Sequence, residues 1–326
     1  MESKSYKWGI IGCGDVTELK SGPAFQKIEG FEIYAVMRRN LEKVIDYAKR
    51  HQIPKYYTDA DELINDPNID AVYIATPPDS HKEYALKVVQ SGKVCCIEKP
   101  MAPDYKDCVE IVNAFQEKQI PLYVSYYRRS LPRFNKIKQL IEDYTIGKVR
   151  HVSWLYTRSA SPVDLSKAYN WRTDKEIAFG GYFDDLASHG LDLFIYYFGY
   201  ISDASGFTQK QQDLYTSQDA IVGSWIYKSG VTGSGTWNFG ADKREDRVEI
   251  IGDKGKIVFS VFNEEDVILE TGEDIKRLFI ENPKNIQLHH VDNMKLDLDG
   301  VSSHPSTGES ATHTAWVMDK ILGKMD

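Results

Sequence analysis

Short apolar runs alternate with amphipathic stretches through roughly the first 125 residues, and no other feature restricts the folding of this chain so tightly. The runs are Lys7–Ile11, Phe31–Met37, Ala71–Ala75, Lys93–Glu98 and Leu122–Ser125. Brief β-prone runs separated by helix-length segments are the pattern of parallel strands joined by crossing helices. Asn40 and Asp104 are placed as N-caps before helices at Leu41–His51 and Tyr105–Lys118. Ser80-His81-Lys82-Glu83 reads as a capping box opening Glu83–Gln90, with Gly92 as its stop.

After Ser125 the rhythm changes. A helix around Phe134–Asp143 precedes strand-like runs at His151–Arg158, Ala220–Tyr227, Val231–Phe239, Val248–Ile251 and Lys256–Ser260, interrupted by one helix near Asp185–Phe198. Turn signals at Lys228-Ser229-Gly230 and Asp253-Lys254-Gly255 predict an antiparallel or mixed sheet. Glu270–Gly300 reads as strand plus surface loop, and Ala311, Ala315, Met318 and Leu322 form one stripe of a helix over Gly308–Leu322. The predicted fold class is α/β: a doubly wound parallel sheet over 1–125, an α+β domain with a large open mixed sheet over 126–305, and a closing helix over 306–326.

A chain of 326 residues with 42% hydrophobic and 27% charged content is long enough for two cores. Its net charge of -8 argues against nucleic acid and anionic membrane as partners, since the summed field repels phosphate. The opening MESKSYKWGIIGCG passes from a polar stub into a strand and lacks the apolar core of a signal peptide. No apolar run reaches the ~18–20 residues of a membrane span. Cys13, Cys95, Cys96 and Cys108 lack metal-type spacing, and His289, His290 and His304 lack neighbouring ligands, so no metal is expected and a cytoplasmic enzyme with free thiols is.

The first strand runs into Gly12-Cys13-Gly14-Asp15-Val16-Thr17, which fits G-x-G-x-x-G except that Thr17 replaces the last glycine. In a Rossmann reading Gly12 permits the tight turn and Gly14 lets the backbone approach a pyrophosphate held at the N-terminus of the next helix. The bland alternative is a glycine-rich β-turn. The second strand ends in Met37-Arg38-Arg39-Asn40, without the carboxylate that would bind a ribose 2′-hydroxyl. Two guanidinium groups suit a 2′-phosphate instead, which favours NADP over NAD, the alternative being a solvated basic pair.

Ala75-Thr76-Pro77-Pro78-Asp79-Ser80-His81, then Glu98-Lys99-Pro100, then Gly180-Gly181 with Asp185-Leu186-Ala187-Ser188-His189 resemble the Gfo/Idh/MocA oxidoreductases over nearly the whole chain. The resemblance implies a Rossmann domain, a second domain with a large open sheet, nicotinamide chemistry on sugars, polyols or related cyclic substrates, and assembly as a homodimer or homotetramer. It further implies cofactor contacts from Gly12, Gly14, Asp15 and Val16, from Thr76, Pro77 and His81, and from Glu98 and Lys99. Trp171 and Arg172 match a pair near the nicotinamide, and Tyr127, Arg128 and Arg129 match a junction segment. Ala187 departs from a frequent glycine, which bears on helix packing.

The residues carry a chemical argument of their own. Asp185 and His189 are four apart, so on a helix they share a face, where a carboxylate can orient an imidazole that exchanges a proton with an alcohol. A capping aspartate and a core histidine are the plain alternative. Lys99 follows a strand's C-terminal end, where doubly wound sheets bind ligands. Catalytic roles are therefore expected for Lys99, Asp185 and His189, with Asp192 structural. Two rival functions are a dihydrodiol-dehydrogenase-like activity and a non-catalytic regulator that binds NAD(P). Trp225 and Trp237 alternate within strands and are expected to be buried on a sheet face, and some of Trp225, Ile226, Val231 and Trp237 are expected on an open face that self-association would cover.

Overall fold

The computed structural model describes residues 4–325. Its first sheet forms around β1 (Tyr6–Ile11), which leads through α1 (Asp15–Leu19) and α2 (Gly22–Phe25) to β2 (Phe31–Met37). The chain continues through α3 (Leu41–Arg50), β3 (Lys55–Tyr57), α4 (Ala60–Ile64), β4 (Ala71–Ile74), α5 (His81–Gln90), β5 (Val94–Ile97), α6 (Tyr105–Lys118) and β6 (Leu122–Val124). All six strands are parallel in the order β3-β2-β1-β4-β5-β6, the doubly wound Rossmann arrangement, which places a ligand crevice beyond the C-terminal ends of β1 and β4. Trp8, Ile10, Val72, Tyr73, Cys95 and Cys96 are buried, as expected of strands covered on both faces.

The predicted caps at Asn40 and Asp104 form: Lys43 N–H donates to Asn40 Oδ1, and Asp107 N–H to Asp104 Oδ1. The capping box at Ser80 does not. A 3-10 turn at Pro78–Ser80 already leads into the helix, so Ser80 has helical backbone, and its hydroxyl bonds Thr76 Oγ1 and the Pro77 carbonyl. The helix expected after the glycine loop is broken after five residues. Pro23 lacks the N–H a continuing helix requires, and a Cβ at Gly22 would lie 2.3 Å from the Thr17 carbonyl oxygen, so the chain turns tightly there.

A second sheet follows α7 (Pro132–Glu142) and comprises β7 (Val149–Thr157), β8 (Ile201–Gln209), β9 (Ala220–Tyr227), β10 (Thr232–Asn238), β11 (Glu245–Gly252), β12 (Gly255–Phe259), β13 (Val267–Thr271) and β14 (Asp274–Leu278). Between β7 and β8 lie α8 (Pro162–Leu165) and α9 (Tyr182–Phe198). The order is β14-β13-β12-β11-β7-β10-β9-β8, and only β7 and β10 pair in parallel, so the sheet is mixed as predicted. One face packs against α9 so closely that a Cβ at Gly190 would lie 2.3 Å from the Trp154 ring.

Of the four residues considered for the open face, Ile226 is the one that is exposed there, and Trp225 and Trp237 are buried on the covered face. Alternation alone could not choose between faces. Gly233 and Gly235 leave the room their rings occupy. The open face instead carries Phe207, Val222 and Ile226, exposed by 81%, 44% and 49%.

Beyond β14 the chain forms α10 (Leu288–Leu298) and α11 (Gly308–Ile321). The contacts divide the molecule into one unit made of residues up to Leu131 with Pro283–Thr312, and another made of Pro132–Asn282 with the residues from His313 onward. Residues 283–305, read from sequence as the end of the second domain, and 306–312, read as the start of the closing helix, thus pack with the first unit: Tyr6 donates to the Leu298 carbonyl, and Tyr123 pairs with Thr307. Within Glu270–Gly300, β14 supplies the expected strand, and helix α10 takes the place of the expected surface loop. Its apolar spacing at Leu288, Val291, Met294 and Leu298 is helical, but no side chain caps its start and charged residues interrupt it. The four cysteines are buried without disulfides. Among the described residues no helix is long and apolar enough to cross a membrane.

Candidate active site

In the first unit, the glycine loop shows why two glycines stand where they do. Gly12 has φ +88, and a Cβ there would lie 2.6 Å from Thr76 Cγ2 and 2.9 Å from Thr76 N, so the loop after β4 can approach only a glycine. Gly14 is different. Its backbone is extended and a Cβ would come no closer than 3.9 Å to any described side chain, the nearest atom being Arg38 Nη1, so the space beside it stays open. Arg38 donates to the Cys13 carbonyl at 3.2 Å, which holds its guanidinium against the loop, whereas Arg39 is exposed.

Thr17 proves to support the motif. Its hydroxyl lies 2.9 Å from the Gly14 N and 2.8 Å from the Gly14 O, and Tyr47 donates to the Thr17 carbonyl. A hydroxyl thus ties the turn where a third glycine would allow close packing. Asp15 is exposed and Val16 half-buried at the start of α1. With an open cradle at Gly14 and a fixed cation at its rim, these residues fit a dinucleotide.

The loops after β4 and β5 carry Thr76, Pro77, Glu98 and Lys99. His81, expected among the cofactor contacts, is fully buried. Its Nε2 meets the Thr76 carbonyl at 2.7 Å and its Nδ1 the Pro100 carbonyl at 3.1 Å, so it ties the two loops together behind their ligand-facing surface. Burial holds its pKa below the usual imidazole value, against the pull of those carbonyls. Glu98 is also buried. It accepts from the Tyr73 hydroxyl at 2.5 Å, from Gln287 Nε2 at 2.8 Å and from the Lys99 N–H at 3.2 Å. Lys99 itself is half-buried. Arg128 is buried with its guanidinium 5.0 Å from the Tyr127 ring centre, and Arg129 donates to the Pro305 carbonyl.

In the second unit, Asp185 and His189 both lie on α9, one turn apart as the spacing required. Gly181 precedes that helix with φ +64, and a Cβ there would lie 2.6 Å from the Gln218 carbonyl oxygen. Arg172 Nε donates to Asp185 Oδ2 at 2.7 Å, and the same guanidinium sits 4.4 Å from the Trp171 ring centre. The tryptophan-arginine pair and the aspartate of the D-x-x-x-H segment therefore form one assembly. His189 is 5% exposed and meets Phe262 edge to face. The helix continues unbroken through the buried Ala187.

Sequence reasoning passed over Asp184. It accepts from the Gly180 N–H at 2.9 Å, and burial pushes its carboxyl up to about 7 despite the nearby Lys324. Asp192 is buried and accepts from Thr314, consistent with a structural part. His290 and His304 meet edge to face in the first unit, their ring centres 4.7 Å apart.

Residues 6–126 match the oxidoreductase family with an NAD-binding Rossmann fold, and residues 134–258 match the GFO/IDH/MocA C-terminal domain. An oxidoreductase of Formosa agariphila is 38% identical over 99% of this chain and 100% of its own length. Myo-inositol 2-dehydrogenase of Thermotoga maritima is 26% identical over 80% of this chain and 76% of its own. The fold is shared with levoglucosan dehydrogenase solved with NADH, at a TM-score of 0.86 and 21% identity, covering 98% of this chain and 96% of that one. The chain belongs to the GFO/IDH/MocA oxidoreductase family and is an NAD(P)-binding enzyme of that class.

Proposed function

We propose that this enzyme is an NADP(H)-linked dehydrogenase or reductase acting on a secondary alcohol or carbonyl of a sugar, polyol or related cyclic compound in the cytoplasm. The observation that carries the cofactor choice is Arg38 beside the open side of Gly14, following the C-terminal end of β2, where no carboxylate stands to bind a 2′-hydroxyl. The similarity to myo-inositol 2-dehydrogenase supports the substrate class.

A nicotinamide bound there would supply or take up the hydride. Gly12, Gly14 and Val16 would hold the pyrophosphate and Arg38 the 2′-phosphate. An oxygen that gains negative charge as a carbonyl is reduced is stabilised by a fixed cation, and Lys99 is assigned that part. His189 exchanges the proton at the substrate hydroxyl oxygen. Asp185, fixed by Arg172, orients the imidazole from one turn away.

A panel of ketoses, aldoses, anhydro-sugars, inositols and small cyclic diols, followed at the NADPH and NADH absorbance bands, tests the reading. Turnover of a sugar or polyol with NADPH preferred is the expected result. Turnover of diols alone would favour a dihydrodiol dehydrogenase, and tight NADPH binding without any turnover would favour a regulator.

A further inference from the structure

Glu98, at the C-terminal end of β5, is held by several hydrogen bonds. A carboxylate only 7% exposed needs donors, and it has three: the Tyr73 hydroxyl and the Gln287 carboxamide on Oε1, and the N–H of Lys99 on Oε2. Burial keeps the Tyr73 hydroxyl protonated, so toward Glu98 it acts as donor. The orientation of Gln287 is equally determined, because a flipped amide would set its oxygen against a carboxylate oxygen.

Gln287 meets this demand at a cost to itself. It is 2% exposed, and its own Oε1 is buried without a hydrogen-bond partner among the described residues. Folding alone would favour an apolar side chain at such a position, since an unmatched buried acceptor is destabilising. The chain also anchors this segment independently. Two residues earlier, Asn285 donates to the Leu19 carbonyl and accepts from Lys27, so the start of α10 is fixed to the end of α1 while Gln287 reaches Glu98.

We infer that Gln287 is a positioning residue: with Tyr73 it locks the Glu98 carboxylate, whose second oxygen holds the Lys99 N–H and so sets the direction from which the Lys99 side chain leaves the backbone. This inference rests on the part proposed for Lys99 in the reaction. It extends that proposal to a side chain 189 positions from Glu98 in sequence.

The test compares the full-length protein with Gln287→Leu, Gln287→Glu and the exchanged pair Glu98→Gln/Gln287→Glu. The readouts are NADPH affinity by fluorescence, the pH profile of Lys99 modification by trinitrobenzenesulfonate read by peptide mass spectrometry, and the split of kcat from KM on the best substrate of the panel. Gln287→Leu is expected to leave NADPH affinity and KM nearly unchanged while kcat falls about 10-fold, the scale of one hydrogen bond to a charged group, and the Lys99 profile is displaced. Gln287→Glu sets two carboxylates together and should displace it further, and the exchanged pair should return it toward the parent because one carboxylate again faces one carboxamide.

An unchanged Lys99 profile in Gln287→Leu, or an exchanged pair no closer to the parent than Gln287→Glu, overturns the inference. Should Gln287→Leu fail to fold, Tyr73→Phe removes the other donor from the same oxygen, and an unaltered profile there is equally fatal. If Lys99→Ala turned over normally, the proposed reaction would fail while the displaced profile of Gln287→Leu still stood. If Lys99→Ala were inactive and Gln287→Leu matched the parent, only the positioning inference would fall.

Discussion

The six-stranded sheet of the first unit is parallel and buried on both faces, whereas the eight-stranded sheet of the second is mostly antiparallel and covered on one. In the first, strand interiors such as Trp8, Val72 and Cys95 are core, and the candidate residues Gly12, Arg38, Thr76 and Lys99 stand beyond C-terminal strand ends. In the second, the sheet contributes no candidate reacting group. Asp185 and His189 belong to α9, which packs on the covered face, and the opposite face presents Phe207, Val222 and Ile226. A sheet buried on both sides has only its ends to offer a ligand. A sheet covered on one side offers a supporting surface for a helix and a free surface for assembly.

The largest expected effect asks whether the two sheets contribute equally to chemistry. Lys99→Ala, at a strand end of the first, and His189→Ala, on the helix of the second, should each lower kcat about 10²–10⁴-fold while NADPH still binds. Asp185→Asn should follow in the same direction with a smaller loss. Near-normal turnover in His189→Ala across the pH range would assign the proton to the first unit, with Lys99 or Tyr127 as its donor.

Arg38→Asp tests the strand-end rule within the first sheet alone. Losing charge-assisted bonds to a 2′-phosphate should weaken NADPH binding about 10–100-fold and favour NADH in relative terms, measured by paired fluorescence titrations. Equal affinity of the parent protein for both dinucleotides would refute the assignment.

The open face of the second sheet gives the next prediction. We propose that a second copy of the chain covers it, so Val222→Asp or Ile226→Asp should weaken self-association about 30-fold, as light scattering would report. A parent protein that is monomeric at micromolar concentration would contradict this.

The smallest effect concerns stability. Asp184 titrates near 7 because burial disfavours its charged form, so the native state holds the proton more tightly than the unfolded chain does. That stabilisation is complete below about pH 4, the unfolded value, and is lost as pH rises through about 7. Asp184→Asn, which keeps an acceptor for the Gly180 N–H, should match the parent near pH 4 and melt a few degrees higher near pH 8. Identical melting curves at both pH values would show that the group does not titrate with folding.

Where a signal depends on neighbours in the chain, the amino-acid sequence alone determines it. The parallel rhythm, the caps at Asn40 and Asp104, the glycine turn and the i, i+4 placement of Asp185 and His189 are all local, since helix and strand periods and cap chemistry act over a few residues. Tertiary structure decided the rest. It made His81 a tie between two loops, and moved the Ser80 hydroxyl out of its capping box. It turned Trp225 and Trp237 to the covered face, paired Arg172 with Asp185, and carried Gln287 to Glu98. Each of these is a hydrogen bond or a choice of face settled by groups distant in sequence or by packing volume, and neither leaves a periodic trace in the chain that encodes it.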